Sequence, residues 1–204
     1  MLSHLQIART DELPAATREA SLELVNHEIH RIHRLVQDLF LLSRVEASSD
    51  YGLRPVDIVL LADEVVGQMF TRAEDKDIAL DFASTAQVPR VRGDPDQLKQ
   101  VFLNLIDNAV KYCRPGDSVT VRIATEGDAV LCEVSDSGPG IAPEHLPHLT
   151  DRLYRIRRDV EGSGLGLAIV EEILRRHNSR LEIESDVKGG RTGTRMRFKL
   201  PKWT

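Results

Sequence analysis

The chain has 204 residues, 41% of them hydrophobic, and a formal net charge of -5. That length suits one large domain or a small one beside a medium one, and the hydrophobic share allows a packed core. The acidic balance, with Lys and Arg scattered, excludes a general nucleic-acid binder. No apolar run is long enough to span a bilayer and no signal peptide opens the chain, so no membrane contact is expected of this stretch. Cys113 and Cys132 stand apart, with no CxxC and no zinc-finger histidine spacing, and read as two buried thiols in a reducing compartment.

In chain order, Met1 to Arg9 reads as the end of a helix, and residues 10–14 break it. From Ala15 to about Ala47 the pattern is helical, without Pro or Gly. Leu22, Val25, Ile29, Ile32, Val36 and Leu39 alternate three and four apart, which is a heptad seam. A lone amphipathic helix of roughly 30 residues, against a usual 11 or 12, must bury such a seam on a partner. Too little chain precedes the turn for a full antiparallel partner. The first helix is therefore truncated, or the seam pairs with another subunit.

Residues 47–52 read as a linker. Val56 to Val59 is expected as a short strand, Leu60 to Glu74 as a helix, and residues 78–82 as a strand. Val91 ends a short extended piece before Gly93. Asp94 offers an N-cap, Pro95 fits the first helical position, and Gln97 sits where a capping box places its amide. The helix that follows runs to Tyr112, with Leu98, Phe102, Leu105, Ile106, Ala109 and Cys113 as its apolar face. Asn104, Asn108 and Lys111 share an adjacent strip roughly 60° wide. Asparagine is a mediocre helix former, because its side chain competes for backbone hydrogen bonds, so two of them one turn apart point to a task beside the helix. Strands are expected at residues 118–125 and 129–135, a short helix at 143–149, and a stronger one at 166–177. Strands at 180–185 and 194–200, around Lys188-Gly189-Gly190, close the chain. The order implies class α+β: a helical hairpin fragment, residues 1–50, joined to an α/β layer domain, residues 55–204.

Three glycine-bearing segments follow the central helix. Asp136-Ser137-Gly138-Pro139-Gly140-Ile141 sits at a strand end, where glycines let backbone approach a ligand closely. There Asp136 could accept from an exocyclic amine such as adenine's. Gly162-Ser163-Gly164-Leu165-Gly166-Leu167 leads into a helix, whose free amides and dipole suit an anion. It lacks the Lys-Ser/Thr pair of a P-loop and the glycine spacing of a dinucleotide fingerprint. Gly189-Gly190 with Gly193-Thr194 reads by itself as a hairpin turn.

Taken in order, the Asn104–Asn108–Lys111–Tyr112 strip and these three segments resemble the ATP-binding domain of bacterial sensor histidine kinases, in the wider family that includes gyrase, a heat-shock chaperone and MutL. They stand as its N box, G1 box, G2 box and final glycine-threonine element. Residues 35–46 are also similar to the end of that family's second dimerisation helix. The resemblance covers nearly the whole chain and implies an α/β two-layer sandwich that binds ATP with Mg²⁺. It implies that Asn108, helped by Asn104, holds the metal, that Lys111 meets phosphate and that Tyr112 covers the nucleotide. It places Asp136 on the adenine amine, with Gly138, Gly140 and Ile141 giving the base room. Gly162, Gly164, Leu165, Gly166 and Leu167 would edge an ATP lid, Arg155 would contact the γ-phosphate, and Thr194 would complete the site. A homodimer through the stem, a response regulator receiver domain as partner, and a cytoplasmic location in an inner-membrane-anchored parent follow from the same resemblance.

Two departures stand out. The family's F box usually carries two phenylalanines, where this chain has Thr150 and Leu153, a loss expected to loosen the base of the lid. The phosphoacceptor box, typically Ser-His-Glu-Leu-Arg-Thr-Pro, is absent. His4 does not continue that motif, and His27, His30 and His33 lie within the second helix and read as a solvated face. The expectation is a chain that binds Mg-ATP without phosphorylating itself. The alternative is a degenerate kinase that uses nucleotide to set a dimer's conformation. A gyrase-like ATPase is disfavoured, because the position of its catalytic Glu is Asn104 here.

Overall fold

The computed structural model describes residues 15–47, 53–157, 162–187 and 192–203. The expected helix end at residues 1–9, the break at 10–14, most of the 47–52 linker and the Lys188–Gly190 turn lie outside the described residues. Helix α1 (Ala15–Ala47) is the long stem helix, 33 residues in length. Strand β1 (Arg54–Val56) follows, then α2 (Ile58–Glu74), β2 (Ala79–Ser84) and β3 (Val91–Gly93). The central helix α3 (Pro95–Tyr112) leads into β4 (Ser118–Glu126) and β5 (Ala129–Asp136). Helix α4 (Gly166–Arg176), β6 (Glu182–Asp186) and β7 (Gly193–Pro201) close the chain.

The main sheet has the order β2-β4-β5-β7-β6, with only the β2–β4 pair parallel. Its strands alternate. Val119, Val121 and Ile123 of β4, Val130, Cys132 and Val134 of β5, and Met196, Phe198 and Leu200 of β7 turn one way into the core. The other face is charged, with Arg195 near Glu133 and Glu184, and Lys199 on Glu126. A sheet that buries one face and solvates the other needs a single covering layer. Helices α2, α3 and α4 supply it, and Phe102 of α3 meets Phe198 of β7 at a ring-centroid distance of 5.6 Å. Strands β1 and β3 form a separate antiparallel pair.

Helix α3 starts as its sequence dictates. The Asp94 carboxylate accepts from the backbone N–H groups of Asp96 and Gln97, at 2.9 and 3.2 Å, relieving two of the unpaired donors at a helix start. Leu98, Phe102, Leu105, Ile106 and Ala109 are buried as the spacing predicts, together with Val101 and Val110. Buried His177, just past α4, accepts the Asp94 N–H at Nε2, 3.0 Å away, and donates from Nδ1 to the Ile173 carbonyl, 2.7 Å away. This imidazole ties the end of α4 to the beginning of α3.

Two boundaries differ from expectation. The apolar run at residues 56–59 is split rather than wholly strand: Asp57 caps α2, its carboxylate accepting from Leu60 N–H, so the helix opens at Ile58. The expected helix at residues 143–149 contracts to a single 3-10 turn, Leu146–His148. Pro147 lies inside it, has no N–H to donate, and stops the ladder.

Of the seam on α1, Leu22, Ile29, Ile32, Val36 and Leu39 are exposed and Val25 is buried, while Leu42 and Val45 on the far side enter the core. Helix α1 lies against α4. Glu46 holds it there, pairing with Arg152 and accepting from Arg176 at its carbonyl. No helix among the described residues is long and apolar enough to cross a membrane.

Candidate functional site

Helix α3, the end of β5, the start of β7, α4 and the segment between β5 and α4 enclose a cavity of about 400 Å³. Of the residues singled out by sequence, thirteen line it: Asn104, Asn108, Lys111, Tyr112, Asp136, Gly140, Ile141, Arg155, Gly162, Gly164, Gly166, Leu167 and Thr194. Gly138 and Leu165 do not. Leu165 is buried in the core beneath α4, and Gly138 forms the turn behind Asp136, where a Cβ would come 3.0 Å from Asp136 Oδ1 and 3.3 Å from Cys113 Sγ.

Asp136 ends β5. Its Oδ1 accepts from the N–H of Gly138 at 2.9 Å and of Thr194 at 3.2 Å; neither bond uses Oδ2. Burial raises its pKa from the ordinary aspartate value, the two N–H donors oppose the rise, and Asp117 adds to it. Two glycines make this corner possible. Gly193 has φ +149°, and a Cβ there would sit 2.1 Å from the Asp136 carbonyl oxygen. Gly140 has φ +73°, and its Cβ would sit 2.1 Å from the Asp186 carbonyl oxygen. A side chain at either position would push the strands apart.

Ser185 binds the corner together. Its hydroxyl donates to the Gly193 carbonyl at 2.8 Å, accepts from Ile141 N–H at 2.8 Å, and meets Thr194 Oγ1 at 2.9 Å. One serine thus joins β6, β7 and the Gly138–Ile141 turn. Nothing in the sequence marks it, because a serine inside a strand carries no pattern.

The strip on α3 divides. The Asn104 amide is engaged: Nδ2 donates to the Gly166 carbonyl at 3.2 Å, and Oδ1 accepts from Gln100 at 3.2 Å. It pins the first residue of α4. The Asn108 amide has no hydrogen-bond partner among the described residues and faces the cavity. Lys111 is ion-paired with Asp107, whose other oxygen meets Arg72 of α2 at 2.6 Å. Arg72 escaped the sequence reading, since only the fold brings α2 to this wall. Tyr112 is 38% exposed at the cavity.

Helix α4 opens at Gly166 with no side chain capping its first turn, and Ser163 Oγ instead accepts from Leu165 N–H at 3.1 Å. An uncapped helix start beside a cavity with basic walls suits an anion. In the F-box segment Leu153 is 60% exposed with φ +65°, and its N–H donates to the Gly164 carbonyl at 2.9 Å. Tyr154 takes the inward place, with its hydroxyl 2.8 Å from His145 Nδ1. Burial, then Asp136 and Asp117, push the Cys113 thiol up to about 12, which favours the thiol over the thiolate. No histidine lines the cavity among the described residues.

Residues 93–204 match the family described as histidine kinase-, DNA gyrase B-, and HSP90-like ATPase. Sensor histidine kinase CusS of Escherichia coli K12 is 37% identical over 172 residues, covering 80% of this chain and 35% of CusS. The chain spans about a third of the length of the curated relatives it matches. The structure of full-length ShkA in complex with AMPPNP superposes with a TM-score of 0.72 at 27% identity, covering 93% of this chain and 38% of ShkA. Histidine kinase ThkA, in its complex with response regulator protein TrrA, shares the fold at 18% identity, with a TM-score of 0.76 over 98% of this chain and 56% of ThkA. The match over more than half its length makes this chain a member of the histidine kinase-, gyrase B- and HSP90-like ATPase family.

Proposed function

We propose that the chain is the ATP-binding catalytic portion of a sensor histidine kinase, residues 55–204, with part of its dimerisation stem. The observation that carries the reading is one cavity holding a half-buried, amide-anchored carboxylate, an asparagine amide with no hydrogen-bond partner among the described residues and an uncapped helix start. Asp136 would accept from the adenine amine, with Gly140 and Ile141 beside the base. Lys111, Arg155 and the first turn of α4 would meet the phosphates. Asn108 suits Mg²⁺, a hard cation that keeps most of its waters and takes few protein oxygens. Asn104, already bonded to Gly166 and Gln100, fits a positioning role better than a ligand role.

In the intact protein the γ-phosphate would pass to a stem histidine and on to a response regulator receiver domain. The exposed α1 seam supports pairing with a second copy, and the reading places this portion in the cytoplasm. Transfer needs the acceptor held in line with the phosphate, and His30 and His33 lie on the exposed surface of α1. Calorimetry with ATP, with and without Mg²⁺, tests the reading: Mg-dependent binding is expected, and no binding of ATP or adenosine by the folded chain would refute it. Incubation with γ-labelled ATP is expected to leave the chain unlabelled. Acid-labile label on any of its histidines would overturn that part.

A further inference from the structure

The stem helix has two working faces. One carries the exposed seam. The opposite face carries Arg34, Asp38, Leu42 and Val45, spaced four, four and three apart. Leu42 and Val45 are buried in the core. Asp38 and Arg34 lie one and two turns before Leu42, both half-buried, and both form part of the cavity wall. Glu46, bound to Arg152 and Arg176, fastens the helix in this place. The cavity is therefore completed by the stem, and the α/β layers alone leave that wall open.

Charge indicates what the completed cavity accepts. Among the described residues its wall has five cations, Arg34, Arg72, Lys111, Arg155 and Arg157. Against them stand three carboxylates, Asp38, Asp107 and Asp136, so cationic side chains outnumber acidic ones on the described wall. A nucleoside triphosphate with one divalent cation stays anionic, which suits a wall of that composition. Arg34 suits the phosphate tail: guanidinium binds phosphate bidentately, is weakly hydrated, and gains strength where burial lowers the local dielectric.

We infer that Arg34 is a phosphate ligand supplied by the stem, and that docking of α1 and binding of the phosphate tail are coupled. The inference rests on the reading of the cavity as a nucleotide site. By linkage, the effect runs both ways: a triphosphate favours the docked stem, and loosening the stem weakens triphosphate binding. The stem then reports which nucleotide is present as well as carrying the dimer seam.

Titrations of ATP, ADP and adenosine into the wild type, Arg34→Ala and Arg34→Lys test this, with circular dichroism as the control for folding. Arg34→Ala is expected to weaken ATP about tenfold, ADP less, and adenosine not at all, with Arg34→Lys recovering part of the loss. In parallel, ATP is expected to slow tryptic cleavage within α1 of the wild type, adenosine is not, and Arg34→Ala removes the protection. Unchanged ATP affinity in Arg34→Ala, an equal loss for ATP and adenosine, or no protection of α1 by ATP would overturn the inference while leaving the nucleotide site standing. A wild type that binds neither ATP nor adenosine would instead remove the nucleotide reading, and the inference with it.

Discussion

Asp136→Asn separates recognition from folding. The two backbone donors, Gly138 and Thr194, both meet Oδ1. An asparagine can keep its carbonyl oxygen in that place, so the corner between β5 and β7 survives. What changes is the second atom, where a carboxylate oxygen becomes an NH₂ group. A charged acceptor for an incoming amine is lost, worth about 1.5–3 kcal/mol, and two donors are left facing each other. Together these come to about 3 kcal/mol, roughly a hundredfold in Kd. Calorimetry with ATP and with adenosine should show the same factor for both, because the defect lies at the base. Affinity for ATP within threefold of wild type, in a variant with a native circular dichroism spectrum, would refute the assignment.

The same substitution has a stability signature. The folded state raises the Asp136 pKa above its unfolded value. Between the two values the folded chain holds the proton more tightly than the unfolded one does, so stability falls as pH rises through that window. This contribution is fully present below the unfolded value and gone above the folded one. Asparagine has no charge to bury. The difference in melting temperature between Asp136→Asn and wild type should therefore shift in the variant's favour as pH rises from about 4 toward neutrality.

Three further predictions concern the neighbours. Ser185→Ala removes three hydrogen bonds from the corner; it should lower adenosine and ATP affinity alike by about fivefold, at about 1 kcal/mol, whereas a selective loss of ATP would contradict the role given to Ser185. Asn108→Ala should abolish the Mg²⁺ enhancement of ATP binding and leave adenosine binding unchanged, as read by titration with and without Mg²⁺. Leu98→Ala empties a fully buried place at the start of α3, under Gly93 and His177. It should destabilise the fold by about 2–5 kcal/mol in urea unfolding, and a loss below 1 kcal/mol would show that α3 is not the centre of the core.

Local physics decides what can be read without coordinates. Helix α3 was legible because cap, proline and apolar period agree at one place, as did β4 and β5 through their alternation. The start of α2 was not, since Ile58 and Val59 are β-branched and favour a strand until the Asp57 cap is weighed against them. The pairing of β1 with β3 joins residues far apart in the chain, and no local pattern encodes its register. At the site, glycines and Asp136 were visible because only those residue types tolerate the backbone or supply the charge. Ser185 and Arg72 were not, since each becomes significant only when a distant element is folded against it. Arg34 and Asp38 fall between the two cases: their spacing puts them opposite the seam, but a charged pair there also describes an ordinary solvated face.

Asn104 and Asn108 show how one strip on one helix can hold two tasks. Both point away from the apolar face of α3, one turn apart, and sequence alone treats them alike. The fold separates them through Gly166. Its carbonyl takes the Asn104 amide, and Gly166 begins α4, whose first two residues line the cavity. Asn104 thus sets where the start of α4 sits relative to Asn108. Removing the Asn104 amide should therefore act through α4, weakening ATP and ADP together without loss of the Mg²⁺ enhancement. Removing the Asn108 amide should do the opposite. Titrations of Asn104→Ala and Asn108→Ala with and without Mg²⁺ distinguish the two tasks, and identical profiles would return the strip to a single role.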